Sequence, residues 1–511
     1  MNQTENTRAD HLRSLVRDAL ETLLLERAEA DESFALWLDA KLAAWLPHET
    51  GKPLDPEPFR RRTEALLFAA GAGRGRRRWN ETGGGVDEAA LEDLIGAAEP
   101  FLSAGRGNDA LAILKPVAEA LAAYWPECAE WDETLHEFFP RLDGMIAQAV
   151  LMDGVSQEAR DELADTLGCW QDTLVDYGAD DAFATAIVAC MQGWDEPGLQ
   201  EALAGQGQGW PPSGRGGSLE HALTRARLAA LEAMGRTEAY LHLSRNAGFQ
   251  CEHAVKLAQI GRVDDAVAFA HARLSAPDEI LRLAQAVAAA GQLATALDLA
   301  ARGLSLPARG DDENREDWRR GASKILLAHW LREAAQQAGK RQMMLMAARI
   351  AFEESLARED FRAAEKLAGS NWPALRETLL AALLAAPHAH ERLAILLDEE
   401  LIDEAVACVD PHAVHFFSYR DETLERLAER AYADHPDWVI ALAFNIADPI
   451  MTDGRSAHYE GAARWLGLAA RAHAASGRSD QWAIRLEGLI ETHRRKYTLR
   501  PLLEALRSVG D

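Results

Sequence analysis

The sequence predicts an all-α protein, an α-solenoid of tetratricopeptide-like helical hairpins. Three observations favour this fold. Apolar residues recur every three to four positions along most of the chain, the alternation typical of β-strands is absent, and a weak repeat of helix, glycine turn and helix returns several times. One hairpin cannot bury its apolar face alone, whereas stacked hairpins share a continuous core. An ordinary helical bundle is the alternative, and the recurrence of the pattern favours the solenoid.

Two amphipathic helices open the predicted fold. The first carries an apolar stripe with the spacing of one helix face: Leu12, Leu15, Val16, Ala19, Leu20 and Leu23. The second has a similar face: Phe34, Leu38, Leu42 and Trp45. The stretch between Pro47 and Pro58 holds four prolines. Because proline lacks the amide that a helix interior needs, we expect this stretch to be irregular.

The internal repeat is clearest in residues 257–270 (LAQIGRVDDAVAFA) and 287–300 (VAAAGQLATALDLA). In each, a glycine ends one helix and alanines follow five and nine residues later. Glycine adopts the left-handed conformation without a Cβ penalty, and small alanines let two helices approach closely. The pattern recurs imperfectly at further corner positions: Gly105, Gly235, Glu359, Glu400 and Gly477.

Three loop-like segments separate the predicted helices. Residues 71–85 are rich in glycine and arginine, residues 205–217 are rich in glycine and proline, and residues 307–316 are charged and polar. We expect each segment to lie on the surface. The regions between them are an N-terminal helical segment, a helical hairpin region, tetratricopeptide-like repeats and C-terminal helical repeats, at residues 1–70, 86–204, 218–306 and 317–511.

Composition and charge exclude several classes of protein. Hydrophobic residues make up 48% of the 511 residues, which is enough for a large core. The net charge of −27 repels phosphate, and this disfavours a protein that coats nucleic acid or anionic lipid. No apolar run approaches the ~18 residues of a membrane span. The polar N-terminus and five scattered cysteines predict a cytoplasmic protein with free thiols.

Four stretches of the chain carry a family resemblance: residues 105–111, 239–243 with the two glycine hairpins that follow, the acidic hairpin 396–405, and the tail 482–499. In the type of their helical segments and in their order along the chain they resemble the helical region of bacterial SWIM zinc finger family proteins. The zinc finger of that family consists of Cys-x-Cys followed by Cys-x-His, and this chain contains no Cys-x-Cys. The resemblance therefore implies a helical companion part without the finger and without the functions that the finger carries.

Residues that could hold a metal are few. Cys251 and His253 form a Cys-x-His pair, but a structural zinc site needs four ligands. We interpret Cys251 as a residue at a helix start and His253 as a solvated side chain. The closest histidine pairs lack a His-Glu-x-x-His pattern and are interpreted as loop residues: His388 with His390, and His412 with His415. We predict no metal site and no cofactor.

Catalytic motifs are also missing from the sequence. There is no Gly-x-Ser-x-Gly elbow, and Lys52 has no glycine before it at the spacing of a phosphate-binding loop. Acidic residues follow the Gly83–Gly85 run and would repel phosphate there. We therefore predict that the protein is not an enzyme.

Two basic clusters are the candidate contact sites. The first lies in a loop: Arg74, Arg76, Arg77, Arg78 and Trp79. The second is predicted in the last helix: Arg494, Arg495, Lys496 and Arg500. Such a cluster is solvated charge at a helix end, a contact for a protein partner, or a site that binds a single strand of nucleic acid through charge and base stacking.

The function that these observations favour is a non-enzymatic interaction scaffold. A concave solenoid surface typically holds a peptide or a helix of a protein partner. The alternative is a nucleic-acid-associated accessory protein that contacts DNA or RNA through its arginine-rich loops.

Overall fold

The computed structural model describes residues 15–50, 54–72, 87–128, 135–206, 210, 217–306, 317–386, 391–414 and 416–509. Every regular element in these residues is helical, and none is a strand. This confirms the all-α fold class. The chain divides into two compact units, residues 1–260 and 261–511. The boundary between them lies inside the predicted repeat region 218–306.

The helices of the first unit have these bounds: α1 Arg17–Ala30, α2 Glu32–Thr50, α3 Glu57–Ala72, α4 Glu88–Gly96, α5 Glu99–Ser103, α6 Gly107–Cys128, α7 Leu135–Val150, α8 Gln157–Val175, α9 Ala184–Gln192, α10 Leu199–Leu203, α11 Ser218–Ala233, α12 Thr237–Asn246 and α13 Gln250–Gln259. Helix α7 lies at the centre and contacts α4, α5, α6, α9 and α11. Aromatic rings pack around it, with Phe139 edge-on to Trp125 at 5.2 Å and to Phe183 at 5.9 Å between ring centres. Each buried ring of this kind contributes about 1.5–3 kcal/mol.

The first two helices are present, but their predicted faces are buried only in part: Ala19, Leu20, Phe34 and Leu38 are half-buried. Helix α1 buries no residue, and Leu23 of its stripe is exposed. In α2, Ala40 and Ala44 are buried, whereas Leu42 and Trp45 are exposed. The small alanines let α2 pack closely on its neighbours, while the side chains of Leu42 and Trp45 remain on the outer face.

The prediction of an irregular stretch from Pro47 to Pro58 is wrong at both ends. Helix α2 continues through Pro47 to Thr50, and α3 begins at Glu57. Pro58 falls in the first turn of α3, where the missing amide has no helical partner to lose. Pro47 falls within the last turn of α2, so few helical bonds follow it.

The helices of the second unit have these bounds: α14 Val263–Arg273, α15 Pro277–Ala289, α16 Leu293–Ser305, α17 Asp317–Gln337, α18 Arg341–Ser355, α19 Arg358–Ala368, α20 Trp372–Ala385, α21 Arg392–Asp398, α22 Ile402–Ala407, α23 Glu422–Ala431, α24 Pro436–Thr452, α25 Tyr459–Ala475, α26 Ser479–Thr492 and α27 Arg500–Ala505. Short 3-10 helices cover Gly369–Asn371, Phe416–Arg420, Ser456–His458 and Leu506–Val509. The main contacts between α-helices of this unit join neighbours one or two places apart along the chain.

The predicted glycine corners adopt the left-handed conformation that the repeat requires. The corner glycines have φ between 68° and 84°: Gly105, Gly235, Gly261, Gly291 and Gly477. At Gly291 the N–H of Gln292 donates to the Val287 carbonyl at 3.1 Å, which is the hydrogen bond of a Schellman motif. The residue five places after each corner is buried: Ala110, Tyr240, Ala266, Ala296 and Trp482.

Two of the predicted corners carry glutamate, and they differ. Glu400 has φ 58°, so it stands where glycine would. Glu359 does not, because it lies in the first turn of α19, and Leu356 takes the left-handed conformation with φ 52°. Ser355 explains this corner: its hydroxyl accepts the N–H of Ala357 at 3.0 Å and closes the turn before α19 begins.

The segment 205–217, expected on the surface, sends one side chain into the core. Trp210 is 4% exposed and packs among Leu199, Leu203 and Leu228 of the first unit. The guanidinium of Arg227 lies 5.5 Å from the centre of its ring. Residues 207–209 and 211–216 of this segment lie outside the described residues, as do 73–86 and 307–316.

Candidate functional site

Three members of the C-terminal basic cluster lie in the connection between α26 and α27, and only the fourth, Arg500, lies in the last α-helix as predicted. Arg494 and Arg495 follow the C-terminal end of α26, where cations are favourable, and Arg500 begins α27. Arg494 pairs with Glu491 at 2.5 Å, and Arg500 pairs with Glu504 at 2.8 Å. Such exposed pairs contribute at most about 1 kcal/mol, so both guanidinium groups remain accessible to a ligand.

Lys496, the remaining member of this cluster, has a structural role. Its ammonium donates to the carbonyl of Met451 and, at 3.4 Å, to the carbonyl of Thr452. These are the last two residues of α24, whose terminal carbonyls lack helical partners. Lys496 therefore caps a helix, while the neighbouring Arg495 and Tyr497 face solvent, with Tyr497 85% exposed.

The members of the N-terminal basic cluster lie outside the described residues: Arg74, Arg76, Arg77, Arg78 and Trp79.

The Cys-x-His pair belongs to the core of the first unit. Cys251 is the second residue of α13, at a helix start as expected. His253 is buried, so the expectation of a solvated side chain is wrong. Its Nδ1 lies 3.0 Å from the carbonyl oxygen of Leu241 and 3.2 Å from the hydroxyl of Ser244. Across the described ranges, no group of three or more His, Cys, Asp or Glu residues is placed to hold a metal ion.

Asp360 is the centre of a buried polar cluster in the second unit. Its carboxylate accepts hydrogen bonds from His329 Nε2 at 2.8 Å, Arg332 at 3.2 Å and the Ser355 hydroxyl at 2.8 Å. In a hydrolase triad the imidazole stands between serine and carboxylate and takes the serine proton. Here the carboxylate stands between them, so His329 does not contact Ser355 as a base. The cluster joins α17, α18 and α19.

Arg227 forms a second buried polar cluster, which sequence reasoning missed. Its guanidinium is fully buried and donates to Glu196 at 2.8 Å and to the Gly193 carbonyl at 3.2 Å. Burial lowers the pKa of Arg227, and the contact with Glu196 partly offsets this. The pair joins α11 to the segment after α9 beneath the Trp210 ring, so it fixes the fold and is closed to a ligand.

Arginines surround the acidic hairpin 396–405. Asp398 pairs with Arg358 at 2.5 Å and with Arg362 at 3.3 Å. Glu399 pairs with Arg362 at 2.8 Å and also with Arg376. Because the carboxylates of Asp398 and Glu399 are almost buried and already neutralised by α19 and α20, this part of the hairpin is a packing feature of the second unit.

An open groove in the first unit lies between α2, α4 and α5. Its volume is about 460 Å³ and its walls include Trp45, Ala97 and Phe101. Lys41 and Asp93 form a 2.7 Å ion pair at its edge. Trp45 is 73% exposed, and exposed tryptophans beside a cleft are typical anchors of protein interfaces.

A second open groove lies in the second unit between α18 and α20. Its volume is about 500 Å³. The floor is apolar and the rim is polar. Four lining residues come from α18, one from the 3-10 helix before α20 and three from α20: Gln342, Leu345, Met346, Arg349, Asn371, Ala374, Leu375 and Thr378. An apolar floor with a polar rim is the anatomy of a protein interface.

Two further findings bear on function. Among the helices that the structure describes, none is long and apolar enough to cross a membrane. No family model, no curated protein and no solved structure matches this chain.

Proposed function

We propose that this chain is a non-enzymatic scaffold that holds a peptide or a helix of a protein partner on a helical-repeat solenoid. The observation that carries the proposal is the open groove between α18 and α20, with its apolar floor and polar rim. The Trp45 groove of the first unit has the same anatomy. By contrast, the buried polar clusters around Asp360 and Arg227 are occupied by contacts within the fold.

The second unit supports the solenoid part of this proposal. Its helices pack mainly on neighbours one or two places along the chain, as stacked hairpins do. Corners at Gly291 and Gly477 turn the chain between helices. The first unit is closer to a bundle, because α7 contacts five other helices there. Likeness to the helical part of SWIM zinc finger proteins, and a cytoplasmic location, belong to the same proposal.

An affinity purification of the tagged full chain from a native lysate tests the scaffold. We expect a stoichiometric protein partner or self-association, with recovery reduced by Trp45→Ala or by Leu375→Glu. Trp45 is exposed, whereas Leu375 is half-buried and packs against the core of the second unit, so circular dichroism melting must first establish that Leu375→Glu folds. A purification that recovers neither a stoichiometric partner nor a second copy contradicts the proposal.

The second candidate function is contact with single-stranded nucleic acid. Tyr497 and Arg495 are both exposed in the turn after α26, and an aromatic ring beside a cation suits base stacking. Binding should then weaken with salt and with the double variant Arg495→Glu, Tyr497→Ala. If the full chain shifts neither DNA nor RNA at about 50 mM salt, where charge contacts are strong, this function is excluded.

A further inference from the structure

We propose that the N-terminal hairpin, which consists of α1, α2 and the linking residue Asp31, binds a basic amphipathic helix of the protein partner. This inference rests on the proposed scaffold function and adds the chemistry of one partner segment. Three observations support it: the hairpin exposes large apolar side chains, carboxylates lie beside them, and the cations of the hairpin are already paired.

The hairpin exposes much apolar surface for its size. Nearly half of the large apolar side chains that are exposed in the described residues lie between residues 15 and 45: Leu15, Val16, Leu23, Leu24, Leu25, Trp37, Leu42 and Trp45. Helix α1 buries no residue, and its main contacts are with α2. A helix of 14 residues is marginally stable in water unless an apolar face packs on a neighbour. A concentration of exposed apolar side chains of this kind marks an interaction surface.

The apolar stripes of α1 and α2 face each other but cover each other only in part. Near the turn, the guanidinium of Arg27 on α1 lies 5.9 Å from the centre of the Phe34 ring on α2. Further from the turn, Leu38 is half-buried, whereas Leu23 and Leu42 are exposed. A third helix laid along the hairpin would cover these exposed edges, as neighbouring helices do in a bundle.

Carboxylates lie beside the exposed apolar side chains. Glu26 is one helical turn from Leu23 on α1, and Asp39 is one turn from Leu42 on α2. Both carboxylates are exposed, as are three others of the hairpin: Asp18, Glu29 and Glu32. The uncovered apolar surface therefore has an acidic border.

The cations of residues 15–45 do not neutralise this border, because each has a carboxylate partner of its own. The pairs are Arg17 with Glu21 at 2.8 Å, Arg27 with Asp31 at 2.5 Å and Lys41 with Asp93 at 2.7 Å. Arg62 of α3 also reaches the hairpin, but it donates to Ser33, on the face of α2 that carries the buried Ala40. The hairpin thus keeps a surplus of negative charge.

This charge identifies the occupant. A second copy of the chain would bring two acidic borders together, and anionic lipid or nucleic acid would add charge of the same sign. A partner helix with an apolar stripe and lysines or arginines beside it complements both the leucines and the carboxylates. Helix α1 spans about 21 Å at ~1.5 Å per residue, so a partner helix of about four turns matches its length.

Three synthetic peptides test this assignment by fluorescence anisotropy with the purified full chain. The first is a helix of about 18 residues with a leucine stripe and a lysine-rich polar face. The second carries glutamate in place of each lysine, and the third has the composition of the first in an order that destroys the stripe. We expect the first peptide to bind about tenfold or more tightly than the other two, and its affinity to fall as salt is added.

Two variants locate the binding on the hairpin. The double variant Leu23→Gln, Trp45→Gln should weaken the first peptide about tenfold or more, because it removes the apolar contacts. Its matched control is Ile484→Gln, at a residue of α26 that is 76% exposed. The substituted side chains of the double variant are exposed and glutamine favours helices, so the fold should be kept, and circular dichroism melting checks this.

Reversal of charge gives an independent readout. Glu26→Lys with Glu29→Lys should weaken the lysine peptide and strengthen the glutamate peptide, and cations are tolerated in the last turn of α1. The matched control is Asp172→Lys with Asp176→Lys, at two exposed residues at the C-terminal end of α8. This control should leave both affinities unchanged.

Equal binding of the first and third peptides, equal affinity of wild type and both hairpin variants, or no peptide that binds would each overturn the assignment. A dimer in sedimentation velocity that Leu23→Gln, Trp45→Gln dissociates would also overturn it, because a second copy would then cover the hairpin. The scaffold function would survive the peptide results if the tagged wild-type chain still captured a stoichiometric partner. Loss of every partner from the wild-type chain would instead remove the scaffold itself.

Discussion

The Asp143 carboxylate on α7 accepts the backbone N–H of Ala186, in the first turn of α9, at 2.8 Å. It also accepts the N–H of Thr185 at 3.1 Å. Helix α9 has no acidic residue in its own first turn, so a carboxylate from another helix supplies its N-terminal cap. This cap is buried, and burial raises the pKa of Asp143 to about 6 in spite of the hydrogen bonds.

This cap predicts an unusual pH dependence for the first unit. The folded chain holds a proton at Asp143 that the unfolded chain has released between about pH 4 and pH 6, so this group lowers the unfolding free energy as pH rises through that window. The slope is at most about 1.4 kcal/mol per pH unit. In Asp143→Asn this contribution disappears. Urea denaturation of wild type and Asp143→Asn at several pH values should show that the difference between their unfolding free energies changes with pH. The control is Asp176→Asn, at an exposed residue. A difference between wild type and Asp143→Asn that stays constant with pH would contradict the prediction.

The buried His473 predicts the opposite slope in the second unit. Within the described structure neither of its ring nitrogens has a hydrogen-bond partner, and the ring lies 5.9 Å from Trp482. Burial, then Arg478 and Arg485, lower the pKa of His473, while Asp437 opposes them. The unfolded chain therefore binds the proton first, and the unfolding free energy falls as pH drops below about 6.5.

His473→Phe removes both the titration and the unpaired nitrogens. We expect the variant to gain in melting temperature relative to wild type, and to gain more at about pH 5 than at about pH 7.5, because wild type alone must exclude a proton. Melting followed by circular dichroism at both pH values measures the difference. An equal gain at both would show that His473 does not titrate within the fold.

Substitution of Asp360 should destabilise the fold far more than substitution of its neighbour in sequence, Glu359. It is buried and accepts hydrogen bonds from His329, Arg332 and Ser355, whereas Glu359 is exposed on the same turn. Asp360→Ala leaves these donors unpaired and should cost about 3–5 kcal/mol. Glu359→Ala should stay within about 0.5 kcal/mol of wild type. Chemical denaturation of the two variants gives the comparison, and similar losses would mean that the cluster contributes little.

Local patterns in the sequence predict the helices and their corners, because these depend on residues within a few positions. The left-handed corner at Gly291 and the burial of Ala296 are two features that the local sequence predicts. The local sequence does not predict which face of α2 is buried. Ala40 and Trp45 lie on different faces of one apolar helix, and the packing of the neighbouring helices determines which face is covered. Lys496 reaches a carbonyl 45 residues away, and the groove between α18 and α20 depends on how those helices flank α19. Such long-range contacts leave no periodic signal in the chain.

Close helix packing in the second unit predicts opposite effects of one substitution at two glycines. A Cβ on Gly303 of α16 would lie 2.6 Å from Cγ2 of Ile280 on α15 and 2.9 Å from Leu327 of α17. Gly303→Ala must push these helices apart and should cost about 1–3 kcal/mol. Gly488 of α26 is also helical, but a Cβ there meets open space.

Gly488→Ala should therefore stabilise the unit by about 0.5–1 kcal/mol, the helix propensity difference between the two residues. Thermal melting of both variants measures whether each substitution raises or lowers the melting temperature relative to wild type. If Gly303→Ala raised the melting temperature as Gly488→Ala does, the close approach of α15, α16 and α17 would be wrong, and with it the tight stacking of helices that supports the solenoid part of the proposed function.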